Sequence, residues 1–336
     1  MNKPVIGLLY GEAVGVGPEV LARALQNQKI VDSATWVLIG DERVFLQGAE
    51  IVEVTLNYKK VKDIDEVSGD EGSIFLIDTQ NTDPSTIQKG VLSTESGKAT
   101  GDNLVYAVEL AKQKKLDGLT YAPMNKDGLF KGGYEFMDDI HLLASLFELE
   151  SGFGEVNVMD GTWFTRVTSH IPLREVAENI TFDSVLDSIH FANNVLTNAG
   201  FNNPKIAVAA LNPHAGDGGL IGDEEAEVIV PAVEESKKLG INAVGPYPAD
   251  TIFLRLEKEE FDCILSMYHD QGQTGMKLLG FKKGVTISGG LPITITTAAH
   301  GTAFDIAGKA IADSGALEEA LKLNVTMLGN KNRVNA

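Results

Sequence analysis

The stretch that decides the fold lies near the amino terminus, where residues 5–26 read VIGLLYGEAVGVGPEVLARALQ. The apolar run from Val5 to Leu9 predicts a strand, and the pattern from Pro18 to Gln26 predicts a helix that begins at a proline. A glycine-rich turn joins the two. Because strand, turn and helix in this order form the repeating unit of proteins with parallel sheets, the chain is predicted to be an α/β protein.

The same alternation continues along the chain. We expect further strands at residues 35–39, 73–77, 118–122, 205–210, 263–267 and 285–288, and helices at residues 102–114, 182–198 and 224–239, with a helical region from Ala303 onward. Residues 155–159 and 163–168 flank Asp160-Gly161, a dipeptide that favours a tight hairpin. An antiparallel segment of this kind often marks a second lobe or a dimerisation arm.

Length and composition limit the class of protein. With 336 residues, the chain is long for one compact domain, so two lobes are expected. The formal net charge of −19 argues against a nucleic-acid partner, and an anionic ligand would need a local metal, lysine or helix N-terminus. The single cysteine, Cys263, lies in an apolar run and excludes an intrachain disulfide. Because neither a signal peptide nor a membrane span is evident, we expect a cytoplasmic protein with no membrane partner.

Three of the six histidines follow predicted strands: His170, His214 and His269. Ligands of open α/β sheets bind outside the carboxyl ends of strands, so these side chains can converge there. Three neutral imidazoles with an open position suit Zn²⁺, Co²⁺, Fe²⁺ or Mn²⁺. The alternative is three unrelated loop histidines with local hydrogen bonds, since no short ligand motif joins them.

Two further segments can bind a cofactor. In the stretch from His300 to Ala310, Gly301 allows close backbone approach, Thr302 is placed to cap a following helix, and Asp305 is placed to accept hydrogen bonds from a ribose or adenine. An ordinary junction between a turn and a helix is the alternative. The glycine-rich turn at residues 11–19 resembles a phosphate-binding loop but matches neither the dinucleotide fingerprint nor the P-loop pattern.

Several blocks of sequence together resemble the 4-hydroxythreonine-4-phosphate dehydrogenase family, the NAD-dependent enzymes of vitamin B6 synthesis. The matching blocks are residues 15–19 (GVGPE), 125–126 (NK), 168–173 (TSHIPL), 211–219 (LNPHAGDGG), 248–251 (PADT), 268–272 (YHDQG) and 300–303 (HGTA). They occur in the family's order over nearly the full length of the chain.

The resemblance implies a fold, a cofactor and a metal site. It implies the two-lobed fold of isocitrate and isopropylmalate dehydrogenases, with mainly parallel sheets and an antiparallel dimerisation segment. We expect residues 1–130 and 296–336 to form the cofactor lobe, and residues 131–295 to form the lobe for metal, substrate and dimerisation. The family further implies NAD or NADP, one divalent ion (zinc, magnesium, cobalt or manganese) and a homodimer with the active site at its interface. Its metal ligands, from both subunits, correspond to His170, His214 and His269.

The departures from the family concern the substrate. Where the family holds the substrate's phosphate with His and Thr, this chain has Asp139 and Ile140, and the family's Asn and Arg are replaced by Thr286 and Ile295. Only the lysine, Lys277, is retained. An arginine guanidinium binds a phosphate through two parallel hydrogen bonds, which Ile295 cannot form, and the carboxylate of Asp139 repels a phosphate. We therefore predict a substrate that is not phosphorylated or is differently charged. A local shift that lets His141 replace the missing groups is the alternative.

The expected reaction is the oxidation of a small hydroxy acid, with loss of CO₂ if the product is a β-keto acid. Lys277 and Asp250 are candidates for proton transfer or substrate orientation, and Asp270 is a candidate partner of a ligand histidine. Ala299, where the family usually has Asp, leaves the details of cofactor or substrate contact open. Three other functions remain open: the family's own phosphorylated substrate, a cyclic dihydrodiol carboxylate, and a non-catalytic role in binding metal or nucleotide.

Overall fold

The strand, turn and helix predicted at the amino terminus are present in the computed structural model, which describes residues 3–68, 73–256, 261–280 and 283–334. The strands are β1 (Val5–Leu9), β2 (Thr35–Gly40), β3 (Lys59–Val61), β4 (Ile74–Asp78), β5 (Gly118–Tyr121), β6 (Gly154–Met159), β7 (Thr162–Arg166), β8 (Ile206–Ala209), β9 (Ala243–Tyr247), β10 (Cys263–Ser266), β11 (Val285–Gly289) and β12 (Thr294–Ala298). The helices are α1 (Gly17–Ala24), α2 (Gln28–Val31), α3 (Glu42–Ile51), α4 (Thr94–Lys112), α5 (Lys126–Lys131), α6 (Asp139–Leu146), α7 (Val176–Asn179), α8 (Phe182–Asn198), α9 (Val230–Lys238), α10 (His269–Gly280) and α11 (Gly315–Val334).

The chain forms two compact units. Unit 1 comprises Met1–Gly154 and Lys282–Ala336, and unit 2 comprises Glu155–Phe281. We expected the first unit to consist of two separate segments of the chain, residues 1–130 and 296–336. The segments of unit 1 have different boundaries. Helix α6 belongs to unit 1 because Leu142 and Leu143 lie in its apolar core, and β12 belongs there because it pairs with β5.

Unit 1 is built on a largely parallel sheet. Its strands lie in the order β3-β4-β2-β1-β5-β12-β11, and neighbouring strands are parallel except for β11 and β12. Alternate residues of one strand enter different apolar clusters: Leu8 packs in one and Leu9 in the other. Because both faces of the sheet are covered, its strands are continuous apolar runs, as is usual in α/β proteins.

Unit 2 combines a hairpin with parallel strands. Strands β6 and β7 are antiparallel, with Met159 paired to Thr162 across the turn Asp160-Gly161, where both residues have positive φ. This confirms the predicted hairpin. From β7 the order continues through β10, β8 and β9, and all of these pairs are parallel.

The helix predicted at residues 224–239 is present as a π-helical turn, Glu225–Ile229, followed directly by α9. Two other helix predictions were wrong at their starts. Helix α11 begins at Gly315 and not near Ala303, because Ala303, Gly308 and Ala310 have positive φ, which a right-handed helix does not accommodate. Helix α4 begins at Thr94, eight residues before the predicted Asp102, where the Ser93 side chain accepts a hydrogen bond from the backbone N–H of Ser96. The predicted α/β class with mainly parallel strands is confirmed. Within the described residues, no helix is long and apolar enough to cross a membrane.

Candidate active site

The three histidine segments follow three adjacent parallel strands of unit 2. His170 comes after β7, His269 begins α10 just after β10, and His214 comes after β8. Beyond the ends of β7 and β10 the pairing continues, because the backbone N–H and hydroxyl of Thr168 both donate to the Met267 carbonyl, at 3.0 and 2.8 Å. The segments therefore leave the sheet at its carboxyl edge, where ligands of α/β proteins bind.

Two of the histidine rings are close together. The ring centroids of His170 and His269 are 5.6 Å apart, with 46° between the ring planes. At this separation one nitrogen of each ring can reach a common ion at the roughly 2.0–2.1 Å typical of Zn–N bonds. The two imidazoles are therefore close enough to be candidate ligands of one divalent metal ion.

Two side chains of α10 hold the His269 segment in place. Asp270 Oδ1 lies 2.7 Å from His269 Nδ1, which leaves Nε2 as the nitrogen for a metal. The Gln271 side chain accepts from the Met267 N–H at 2.7 Å and donates to the Ala210 carbonyl at 2.8 Å. Gln271 therefore links the segments that carry His269 and His214, a role that the sequence did not reveal.

The His214 loop has an unusual backbone. His214 through Gly218 all have positive φ, from 45° to 77°. Glu225 stabilises the entry to the loop by accepting from the backbone N–H groups of Leu211 and Asn212, at 2.9 and 2.7 Å. Within the described residues of one chain, no group of three or more His, Cys, Asp or Glu side chains is arranged to hold a metal. One chain therefore brings two of the predicted ligands together and leaves His214 apart from them.

The other polar candidates of unit 2 are accessible. Lys277 on α10 and Asp250 after β9 are exposed, and Asp270 is exposed apart from its contact with His269. Large apolar side chains are also exposed close in sequence to each ligand candidate: Leu173 at 73 %, Leu220 at 83 % and Leu278 at 83 %.

The predicted cofactor residues lie in unit 1, in the irregular segment after β12. Thr302 is buried, and its carbonyl accepts from the Val16 N–H at 3.0 Å, so this segment rests on the glycine-rich loop. A side chain at Gly15 would lie 2.9 Å from the Thr302 carbonyl oxygen, which explains the glycine. Thr302 does not cap a helix, because α11 begins only at Gly315.

One buried nitrogen of this segment is available for a hydrogen bond with a ligand. His300 Nδ1 is 2.9 Å from the Gly301 carbonyl, whereas His300 Nε2 is buried and has no hydrogen-bond partner within the described part of the chain. Gly301 and Asp305 are exposed. A buried nitrogen without a partner is costly, and a cofactor bound at this segment would satisfy it.

The predicted substrate residues of unit 1 lie in two different environments. Asp139, at the first position of α6, accepts a 2.6 Å hydrogen bond from the Tyr121 hydroxyl, and Thr286 on β11 is partly exposed. Ile140 is 4 % exposed, and Ile295 is 0 % exposed within the apolar core of unit 1. This placement gives no support to the expected contact between Ile295 and a substrate.

His141 is engaged with its neighbour Asp138. The nearly buried Asp138 carboxylate lies 2.5 Å from His141 Nδ1 and caps α6 by accepting from the His141 backbone N–H. Burial alone would raise the pKa of Asp138, but the hydrogen bonds from His141 and the charges of His141 and Lys126 hold it below its ordinary value. Asp138 is therefore ionised and fixes the His141 ring.

A buried carboxyl, Glu12, lies at the carboxyl edge of the unit 1 sheet. Burial raises the pKa of Glu12 to about 7, despite hydrogen bonds from the Ser96 hydroxyl and the Asn125 backbone. Its second oxygen, Oε2, has no partner among the described residues. The sequence placed Glu12 in the glycine-rich loop but gave no sign that its side chain is buried.

Comparisons with known proteins agree with this architecture. The profile of the family described as pyridoxal phosphate biosynthetic protein PdxA matches residues 32–324. A Rhizobium meliloti protein with the provisional name 4-hydroxythreonine-4-phosphate dehydrogenase 2 is 42% identical over 100% of this chain and 96% of its own. An Oceanobacillus iheyensis protein with the provisional name D-threonate 4-phosphate dehydrogenase is 39% identical over 98% of this chain and 99% of its own.

A solved structure gives the same result. The crystal structure of a 4-hydroxythreonine-4-phosphate dehydrogenase from Burkholderia phymatum superimposes with a TM-score of 0.81 and 36% identity, over 97% of this chain and 98% of that one. Sequence profile, relatives and structure thus agree over almost the whole length. It follows that this chain is a member of the PdxA family.

Proposed function

We propose that the chain is a dehydrogenase that depends on NAD or NADP and on a divalent metal. Its proposed substrate is a small hydroxy acid. The far end of this substrate, the end remote from the reacting hydroxyl, carries either no phosphate or a group of different charge. The observation that carries the proposal is the pairing of His170 and His269, 5.6 Å apart at the carboxyl edge of unit 2. Family membership supports the reaction class, because the relatives bear the names of dehydrogenases.

The proposed metal ligands are His170, His214 and His269. Asp270 supports this assignment because its contact with Nδ1 of His269 leaves Nε2 for the ion. We further propose that the protein is a homodimer and that a second copy completes the ligand set. Leu173, Leu220 and Leu278, which are exposed close in sequence to the three histidines, are suited to an interface between two copies.

Side chains of the chain itself bind the substrate and move a proton. A bound divalent metal would polarise the substrate hydroxyl, and a bound nicotinamide would supply the hydride acceptor. Lys277 and Asp250 are the proposed groups that orient the substrate or accept the hydroxyl proton. Both are exposed in the single chain and therefore accessible to a ligand.

The far end of the substrate is proposed to lie near Asp139. Its carboxylate is acceptor-only when ionised, and it already accepts from Tyr121. A phosphate dianion offers only acceptors and negative charge, so its approach to Asp139 is unfavourable. A hydroxyl or an ammonium group at this end can instead donate to Asp139.

An assay of paired substrates tests the proposal. The purified protein is supplied with Zn²⁺, Mn²⁺, Co²⁺ or Mg²⁺ and with NAD or NADP, and formation of the reduced cofactor is followed by its absorbance. Each hydroxy acid is offered with and without its terminal phosphate, beginning with 4-hydroxythreonine and D-threonate. We expect metal-dependent turnover with a higher kcat/KM for the unphosphorylated member of a pair.

Two results would contradict this proposal. Efficient turnover restricted to 4-hydroxythreonine 4-phosphate or D-threonate 4-phosphate would assign the chain the activity for which its relatives are named. Failure of the protein to bind either dinucleotide in the presence of metal would remove the dehydrogenase reaction itself.

A further inference from the structure

Three loops of unit 1 meet around Lys89. Its ammonium group donates to the Ala13 carbonyl of the glycine-rich loop at 2.7 Å, and the next residue, Gly90, donates its N–H to the Val14 carbonyl at 2.7 Å. A side chain at Gly90, which has a φ of 75°, would lie 2.5 Å from the Phe304 carbonyl of the predicted cofactor segment. Lys89 is therefore fixed between the glycine-rich loop and the segment that follows β12.

The same region is held from α1. Glu19, fully buried, accepts a 2.5 Å hydrogen bond from the Gly308 N–H, and the Arg23 side chain donates to the Ala310 carbonyl. The methylene stem of Lys89 lies beside Gly308, within 3.6 Å of the position of an added side chain. The cofactor segment is thus attached to α1 at two points, and Lys89 lies next to one of them.

The positive charge of Lys89 is not neutralised by a direct partner. The ammonium group has three donors, and the acceptor it reaches is the neutral carbonyl of Ala13; it forms no ion pair with a carboxylate of the described residues. Burial lowers the pKa of Lys89 to about 8, although the negative charge of Glu19 acts against this. A partly buried cation without a paired anion is unfavourable in a folded protein, and such groups concentrate at functional sites.

A second polar group, on the cofactor segment itself, also lacks a partner. His300 Nε2 is buried and forms no hydrogen bond with any residue that the structure describes. A chain with a net charge of −19 needs a local positive group to bind an anionic ligand, and Lys89 supplies one against the glycine-rich loop that precedes α1.

We propose that Lys89 binds the pyrophosphate of the nicotinamide cofactor. This inference rests on the cofactor named under the proposed function. The ammonium group contributes a charge-assisted hydrogen bond to a pyrophosphate oxygen, and it keeps its bond to Ala13, which fixes the glycine-rich loop against the ligand.

Calorimetry with fragments of the cofactor tests this role without turnover. ADP-ribose contains the pyrophosphate, and adenosine lacks it. We expect the substitution Lys89→Met to weaken the binding of ADP-ribose and NADH by about 10- to 100-fold and to leave adenosine unaffected. Lys89→Arg keeps the charge and should restore most of the affinity. Lys98→Met, which removes an exposed lysine of α4, is the matched control and should bind like the wild type.

The outcomes separate this inference from the proposed function. Unchanged ADP-ribose binding in a folded Lys89→Met variant overturns the assignment while the dehydrogenase stands. If Lys89→Met weakens the binding of NADPH but not that of ADP-ribose, Lys89 contacts the 2′-phosphate, and the proposed pyrophosphate contact is wrong. If the wild type binds none of the dinucleotides, the proposed function and this inference fail together.

Discussion

The hydroxyl of Tyr121, at the end of β5, donates a 2.6 Å hydrogen bond to the carboxylate of Asp139, at the start of α6. Tyr121 is almost fully buried, so the bond ties the amino end of α6 to the carboxyl edge of the sheet. The pair places the Asp139 carboxylate where the proposed function puts the end of the substrate that is remote from the reacting hydroxyl. The contact therefore bears directly on substrate choice.

Removing this charge should admit a phosphorylated substrate. In Asp139→Asn the amide oxygen still accepts from Tyr121, but the repulsion of a phosphate dianion is lost. We expect the KM for 4-hydroxythreonine 4-phosphate to fall about 10-fold or more in steady-state assays, with little change for the unphosphorylated analogue. Asp127→Asn, at an exposed aspartate of α5, is the control. Equal KM values in the wild type and Asp139→Asn would contradict a role for the charge.

Mixing two inactive variants tests the shared metal site. If His170 and His269 come from one chain and His214 from a second copy, a dimer of His170→Ala with His214→Ala contains one intact site and one doubly altered site. Random mixing should then restore about a quarter of the wild-type activity and metal content, because half of the dimers are mixed. Absence of any recovery in dimers proven to be mixed would mean that each chain supplies its own three ligands.

Asp270 should affect metal affinity through His269. Its carboxylate contacts His269 Nδ1 at 2.7 Å, which fixes the tautomer and orientation of the ring. For Asp270→Asn we expect a roughly 10- to 100-fold weaker affinity for Zn²⁺, measured by competition with a chelating dye, with the fold intact. The control is Asp187→Asn, at an exposed position of α8 in the same unit. An unchanged zinc affinity would show that Asp270 does not orient the ring.

Glu12 should make the stability of the protein depend on pH. The pKa of Glu12 is about 7 in the folded chain, against an ordinary value of 4.5, so the folded state binds the proton more tightly. Its favourable contribution is therefore fully present below pH 4.5 and is lost as the pH rises through about 7, a change of roughly 3 kcal/mol.

Denaturant unfolding at several pH values from 5 to 8 measures this effect. Glu12→Gln should show a flatter dependence of the unfolding free energy on pH and should exceed the wild type in stability at pH 8. Glu109→Gln, at an exposed position of α4, should follow the wild-type curve. Parallel curves for the wild type and Glu12→Gln would show that Glu12 does not titrate in this range.

Local sequence patterns predicted the elements that form from local signals. Strand β1 and helix α8 have the bounds expected from the apolar run at Val5–Leu9 and the helical pattern at Phe182–Asn198. The helix expected from Ala303 is absent until Gly315, because that segment is shaped by contacts with α1 and the glycine-rich loop, which are remote in sequence. Local propensity cannot report such contacts.

The candidate site was predicted only in part, because several of its contacts join residues that are remote in sequence. Histidines that follow strands were expected to meet, and the structure brings His170 and His269 together because β7 and β10 are adjacent and parallel. The contributions of Tyr121, Gln271 and Lys89 depend on partners 18, 61 and 76 positions away. Ile295 looked like a pocket residue from its aligned position, but it faces the core because of its place on β12.

The left-handed run from His214 to Gly218 has a consequence for engineering the protein. A left-handed backbone conformation costs an L-residue roughly 1–2 kcal/mol. His214, Ala215 and Asp217 all adopt this conformation, whereas glycine adopts it without that steric cost. A search for more thermostable variants should therefore select glycine at these three positions. At position 214 the same gain would remove the imidazole, so selection for heat resistance and selection for metal binding should diverge at this residue.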